Sequence, residues 1–260
     1  MQQLSPSQWT ALVKPRVSDE DYARAMAARR ERNACPLCDG ARFVAGFDSL
    51  HRRIAVACAC QNARADKARL VYAGLSERMP TQSFGNFEVG LETQEAFDAA
   101  QEFAETPAPH HILTIRGGVG TGKTHLLQAI GWVSLDAGRQ PKFVSVARYL
   151  DKLRATFADD SPVSFEAVYR PLEAAQILLL DDIGAERLTN WGQEQLYKIV
   201  NHRYQERLPM AVSMNLDEKQ AVDIYGERTA DRLLDLHSGR VLVVSTGSRS
   251  YRTQAQTHAG

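Results

Sequence analysis

Gly117-Gly118-Val119-Gly120-Thr121-Gly122-Lys123-Thr124 is a complete G-x-x-x-x-G-K-[ST] phosphate loop, set between an apolar run, 111–115, and a helix-like segment, 124–135. The context decides the reading. A strand has to deliver the loop, glycines have to let the backbone wrap an anion, and a helix has to aim its N-terminus at that anion. All three parts occur in order, so the chain is expected to bind a nucleoside triphosphate. Backbone N–H groups from Gly118 to Lys123 would cradle the β-phosphate, because a nest of amides carries fixed partial positive charge. Lys123 brings a mobile point charge to the β- and γ-phosphates. The Thr124 hydroxyl completes the shell of Mg²⁺, which prefers oxygen ligands and water. A Gly-rich turn that binds nothing is the alternative, and a lone GxGxxG would leave it standing; this full pattern in this setting does not.

About 60 residues downstream, Ile177-Leu178-Leu179-Leu180-Asp181-Asp182 reads as a buried strand ending in two carboxylates. Beside a phosphate loop, such an end places Asp181 to hold Mg²⁺ through water and Asp182 to polarise the attacking water. Five strand-like runs, 111–116, 141–146, 176–180, 210–214 and 240–245, alternate with helical stretches. That alternation predicts an α/β domain, a parallel sheet with helices on both faces.

Apolar residues at 44% and charged residues at 24% leave room for one large core, or a medium core with a small satellite. No apolar run approaches the roughly 20 residues that cross a bilayer. The polar N-terminus lacks the basic-then-apolar layout of a signal peptide, so a soluble, cytoplasmic protein without membrane association is expected. Net charge is zero, but residues 1–80 carry 13 Lys/Arg against 8 Asp/Glu, and the remainder carries 18 against 23. The basic end suits a polyanion or an acidic partner, or is a set of solvated helix faces.

All four cysteines lie close together, as Cys35-Pro36-Leu37-Cys38 and Cys58-Ala59-Cys60. Two close pairs across a short spacer match a Cys₄ zinc ribbon, in which two knuckles hold one tetrahedral ion. The spacer reads as a hairpin, with 42–45 leading up and 53–57 leading back. Disulfides suit oxidising compartments, which the missing export signal argues against. A closed Cys₄ shell leaves no open position, so structural Zn²⁺ is expected rather than a catalytic metal. Basic helices are expected on either side, over 21–33 and 62–79, and a helix with a Pro-rich linker over 88–110.

Gly122-Lys123-Thr124-His125, Leu180-Asp181-Asp182-Ile183-Gly184, Ser213-Met214-Asn215-Leu216, Glu227-Arg228-Thr229-Ala230-Asp231-Arg232-Leu233 and Ser250-Tyr251-Arg252 follow in that order. Together they resemble the DnaC/DnaI/IstB branch of AAA+ ATPases, over about residues 80–252; the cysteine module is similar to one found in DnaC-like loaders. The resemblance implies a P-loop AAA+ core with a five-stranded parallel sheet in the order 5-1-4-3-2, and ATP as the nucleotide, with His125 added to the binding loop. It implies that Asn215 orients the attacking water as sensor 1. Arg228 then reaches a neighbouring subunit's nucleotide, with Arg232 as the alternative, and Arg252 contacts the γ-phosphate in cis. Asp-Asp at 181–182, where many AAA+ proteins have Asp-Glu, fits slow, switch-like hydrolysis.

The layout expected is a helical and zinc-binding module at 1–80, a linker and helix at 81–107, the ATPase domain at 108–254 and a tail at 255–260. The function implied is loading of a DnaB-type replicative helicase onto single-stranded DNA, with self-association through the ATPase domain. Arg148, Tyr149, Lys152 and Arg154 are candidates to grip the strand, since such grips combine basic and aromatic side chains. An IstB-like transposition helper that directs a transposase to its target shares the core. A zinc-binding adaptor with a degenerate nucleotide site fits less well, because every phosphate-contacting position is intact.

Overall fold

The computed structural model describes residues 43–47, 53–57, 68–75, 82–107, 111–158, 160–184, 189–234 and 240–251. They fall in two compact units divided between Asp66 and Lys67. In the first, β1 (Phe43–Phe47) and β2 (Arg53–Ala57) form an antiparallel hairpin, with Phe43 opposite Ala57 and Phe47 opposite Arg53. This is the hairpin expected between the cysteine pairs. Cys35, Cys38, Cys58, Cys60 and the helix expected at 21–33 lie outside the described residues.

The second unit is a three-layer α/β/α arrangement. Its elements, in order, are α1 (Gln94–Glu105), β3 (Ile112–Arg116), α2 (Lys123–Asp136), β4 (Pro141–Ser145), α3 (Val146–Ala155), α4 (Phe165–Glu173) and β5 (Ile177–Ile183). Then follow α5 (Asn190–Gln205), β6 (Met210–Met214), α6 (Glu218–Tyr225), α7 (Glu227–Leu234) and β7 (Val241–Ser245). The five strands β3 to β7 pair in parallel in the order β4-β5-β6-β3-β7. Counted from β3 as the first strand, that is 5-1-4-3-2, the order expected.

Continuous apolar strands follow from burial on both faces. Successive β5 side chains alternate: Leu178 and Leu180 enter one core with α3, α5 and α7, while Ile177 and Leu179 enter the other with α1 and α2. Thr114, central in β3, donates its hydroxyl to the Leu233 carbonyl at 2.5 Å, which ties α7 to the middle of the sheet. No helix among the described residues is long and apolar enough to cross a membrane.

Three local readings need correction. The helix expected over 62–79 is described from 68 and stops at 73. Gly74 turns left-handed (φ +73°), and its N–H and that of Leu75 bond back to Val71 and Leu70 at 3.1 and 3.3 Å. A side chain at Gly74 would overlap the Phe143 carbonyl of β4, so only glycine ends the helix here. Next, β5 does not stop at Leu180; it runs through both acids to Ile183, with its register shifted between Leu180 and Ile183. Last, Tyr149 faces the core at 5% exposure, because α3 buries Val146, Tyr149, Leu150 and Leu153 on one face.

Arg203 on α5 is fully buried, and its guanidinium donates to the carbonyls of Leu172, Ala175 and Pro209 at 3.0, 3.0 and 2.7 Å and to that of Glu173 at 3.5 Å. These carbonyls end α4 and flank the starts of β5 and β6, where helix termini otherwise leave acceptors orphaned. Burial lowers the Arg203 pKa to about 10, which leaves it charged at neutral pH. Replacing Arg203 by Met is expected to lower unfolding free energy by about 3 kcal/mol, since several buried acceptors lose their donor. A denaturant titration of both proteins measures this, and Arg203→Lys is expected to recover only part of the loss.

Candidate functional site

The loop after β3 is held on three sides. The Gly118 N–H donates to the Gly247 carbonyl at 2.9 Å, and the Thr246 N–H donates to the Arg116 carbonyl at 2.8 Å, so the end of β7 braces the turn. Thr121 and Thr246 share a hydroxyl–hydroxyl bond of 2.6 Å. Gly122 caps α2 in a left-handed conformation (φ +93°), and a Cβ there would stand 2.7 Å from the Phe87 ring. The loop therefore wraps a space that only this glycine spacing leaves open. Lys123, 6% exposed, lays its ammonium on the loop carbonyls of Gly117 and Gly118 at 3.0 and 2.5 Å.

The carboxylates meet this loop through one atom. Asp181 Oδ1 accepts from the Thr124 hydroxyl at 2.9 Å and from the Ser213 hydroxyl at 2.8 Å. Ser213 Oγ in turn accepts the Asp182 N–H at 2.8 Å. Asp181 is buried at 3% exposure, whereas the irregularity in β5 gives Asp182 a positive φ of 66° and turns it out to solvent. Such a conformation costs on the order of 1–3 kcal/mol and persists where surrounding bonds enforce it. Asp181, Asp182, Asn215 at the end of β6, and residues 119–125 of the loop line a cavity of about 470 Å³. Its donor set fits the expected ligands: loop amides and Lys123 for phosphates, and the oxygens of Thr124 and Asp181 for Mg²⁺.

A segment missed at the sequence level closes one edge. His125 Nε2 lies 2.8 Å from the Ser83 carbonyl and 3.1 Å from Asn86 Oδ1, and its ring meets Phe87 edge-on at 5.1 Å. Asn86 Oδ1 also accepts the Ser83 N–H at 2.9 Å. Because Oδ1 is already the acceptor there, the His125 Nε2 carries the proton. The Ser83-x-x-Asn86 spacing before Phe87 was the available signal, a short capping turn ahead of α1. At the other end, the Tyr251 N–H donates to the Gly120 carbonyl at 3.0 Å and its hydroxyl to the Glu88 carbonyl at 3.1 Å. Arg252 itself lies outside the described residues.

The two arginines of α7 differ. Arg228 is exposed and is not among the residues lining the cavity of its own chain. Arg232 packs over Tyr197 and Tyr204, 5.4 and 5.6 Å from the ring centroids, and donates to the Arg228 carbonyl at 2.7 Å. Of the residues weighed for a DNA strand, Arg148, Lys152 and Arg154 are exposed on α3, and Tyr149 is not. Aromatic exposure lies next door: Phe157, 61% exposed, contacts Phe165 and Trp191, and Arg154 sits over Trp191 at 5.7 Å.

The family model for the bacterial DnaA ATPase domain matches residues 79–232. The chain belongs to this family. Among its relatives are the replicative helicase loader DnaC of Buchnera aphidicola subsp. Acyrthosiphon pisum and the chromosomal replication initiator protein DnaA of a Synechococcus strain. The first is 28% identical over 163 residues, 62% of this chain and 66% of that protein. The second is 38% identical over 125 residues, 47% of this chain and 26% of that protein. The chain thus spans just under two thirds of the DnaC relative and about a quarter of the DnaA relative. Domain III of Thermotoga maritima DnaA superimposes with a TM-score of 0.55 at 25% identity, covering 70% of this chain and 76% of that one. A DnaC helicase loader gives 0.55 at 20% identity, covering 65% and 99%, which speaks to the fold alone. The DnaA-family domain here is an AAA+ ATPase domain of the replication initiator and helicase loader group, broader than the DnaC/DnaI/IstB branch expected from the motifs.

Ser213 is the bridge between both acids, so its loss has a defined signature. Ser213→Ala is expected to weaken Mg²⁺ support of nucleotide binding by about 10- to 100-fold, as loss of a partner that orients a metal ligand does. A Mg²⁺ titration of ATP binding by calorimetry measures it.

Proposed function

We propose that the protein is an ATP-switched loader that places a replicative helicase on single-stranded DNA. The observation that carries the ATPase part is the bridged Asp181: one buried carboxylate oxygen joins Thr124 of the phosphate loop to Ser213 and, through it, to Asp182. Loop amides and Lys123 bind and orient the triphosphate, and Asp182, facing the cavity, takes a proton from the attacking water as its oxygen bonds the γ-phosphorus. The bond from that phosphorus to the β–γ bridging oxygen breaks, and ADP leaves with the electron pair. Asn215 orients the water. Bound Mg²⁺, held by Thr124 and through water by Asp181, would neutralise charge on the β- and γ-oxygens.

Arg228, rather than Arg232, is the residue that reaches the next subunit's nucleotide, because Arg232 is already engaged with two tyrosines and a carbonyl. Arg252 contacts the γ-phosphate in cis, and the backbone bond of Tyr251 to Gly120 supports that placement. The exposed Arg154 and Phe157, set against the half-buried Trp191, support a grip on single-stranded DNA, whose bases stack on aromatic faces.

The basic N-terminal module binds the helicase. Cys35, Cys38, Cys58 and Cys60 hold a structural Zn²⁺; pairing of Phe43 with Ala57 supports this, because Cys38 precedes the one strand and Cys58 directly follows the other. The likeness to a replicative helicase loader favours this reading over the transposition helper. A pull-down of a DnaB-type helicase by the full chain tests it, and absence of binding contradicts it.

Lys123→Ala is expected to abolish ATP binding. Asp182→Asn is expected to keep it while turnover falls at least about 100-fold, the usual range for a lost general base. Filter binding and phosphate release separate the two.

A further inference from the structure

Arg148, Tyr149 and Lys152, weighed for a DNA strand, line one cavity together with Lys142, between β4, α3 and α4. It measures about 310 Å³, and no acid is among the described residues that line it. A bond to the Tyr72 carbonyl and a place over the Tyr72 ring fix the Lys142 ammonium, which keeps two further donors. Burial and the neighbouring Lys152 lower the Lys142 pKa, a cost of gathered like charge that an anion would relieve. Tyr149 is 5% exposed, and its hydroxyl has no hydrogen-bond partner. Burial, with Tyr169 and Glu173 nearby, pushes the Tyr149 pKa up, so the hydroxyl keeps its proton and can donate. A buried hydroxyl without a partner is costly, and it marks where a ligand acceptor belongs. Ser145, the N-cap of α3, also lines the cavity and makes no side-chain bond to the amides of the first turn, which favour an anion. The same residue lines the cavity of the phosphate loop and pairs with Asp181 in the sheet, so the two cavities adjoin.

We propose that this second cavity binds the phosphomonoester group of a small ligand through Lys142, Arg148, Lys152 and the Tyr149 hydroxyl. A phosphomonoester carries about −1.5 to −2 charge at neutral pH, against a single charge for the diester of a nucleic-acid strand, and so suits three cations better. Val71, Val168 and Pro171 give the cavity apolar walls for the body of such a ligand. The site is separate from the phosphate loop and stands whether or not the loop binds ATP.

The test titrates inorganic phosphate into the full chain by calorimetry at constant ionic strength, with Mg²⁺ and excess non-hydrolysable ATP analogue filling the loop cavity. Wild type is expected to bind phosphate. Tyr149→Phe weakens that binding by about 10- to 100-fold, the range for a hydrogen bond to a charged group. Lys152→Ala weakens it by about threefold, the size of a partly screened charge. Lys219→Ala, which removes an exposed charge from α6, binds as wild type does. Without phosphate, Tyr149→Phe melts no lower than wild type, because the hydroxyl it loses bonds nothing. Dimethyl phosphate, a diester, binds more weakly than phosphate. No phosphate uptake by wild type, or equal binding by Tyr149→Phe, overturns the site. So does a lower melting temperature for Tyr149→Phe, which would show the hydroxyl already bonded. If dimethyl phosphate or a thymidylate oligomer binds as well as phosphate and loses affinity in Tyr149→Phe, the cavity serves strand diesters and the monoester assignment fails. If the analogue does not bind while phosphate uptake still depends on Tyr149, the loop reading fails and this site stands.

Discussion

One carboxylate oxygen holds the site together. Asp181 Oδ1, on β5, takes hydroxyl bonds from Thr124 of the phosphate loop and Ser213 of β6, so three segments meet at one atom. In a parallel sheet, the carboxyl ends of neighbouring strands open onto a common crevice, where ligands of such folds bind. A carboxylate at 3% exposure is expensive unless its lone pairs are met, and here two hydroxyls bond one of its oxygens. Displacing any of the three segments leaves that charge unsatisfied. The loop cannot drift from the acids without cost, which is what a switch that senses a phosphate requires.

The same geometry explains how Asp182 becomes available. Strand alternation alone does not explain the exposed acid beside a buried one, since both faces of β5 are covered by helices. The register shift between Leu180 and Ile183, with φ of +66° at Asp182, turns this carboxylate to the cavity, and Ser213 Oγ holds its N–H in place. Local strain at this point is offset by the bond to Ser213 and by Ile183, which returns to the core.

Much of this was legible in the sequence, for physical reasons. The eight-residue loop has few conformations that satisfy its glycines, and apolar runs bounded by helical periods imply strands buried on both faces. The strand order follows the family resemblance, and the pairing agrees with it. What was not legible depends on contacts distant in sequence. Nothing local says that Tyr149 on a basic helix faces the core, that Ser83 and Asn86 clamp His125, or that Arg203 serves four carbonyls. The helix end at Gly74 was missed, because the close approach of β4 that demands glycine lies far off in sequence. Arg228 and Arg232 look equivalent four residues apart; the rings of Tyr197 and Tyr204 and the Arg228 carbonyl, all engaged by Arg232, distinguish their surroundings.

The proposal that a neighbouring subunit completes the site through Arg228 makes one sharp demand. Two variants that are each inactive for turnover, Asp182→Asn and Arg228→Ala, have complementary halves: one keeps the arginine, the other keeps the carboxylate. Mixed in equal amounts with ATP, Mg²⁺ and single-stranded DNA, they should recover a measurable part of wild-type phosphate release. No recovery on mixing, or full turnover by Arg228→Ala alone, would contradict the account.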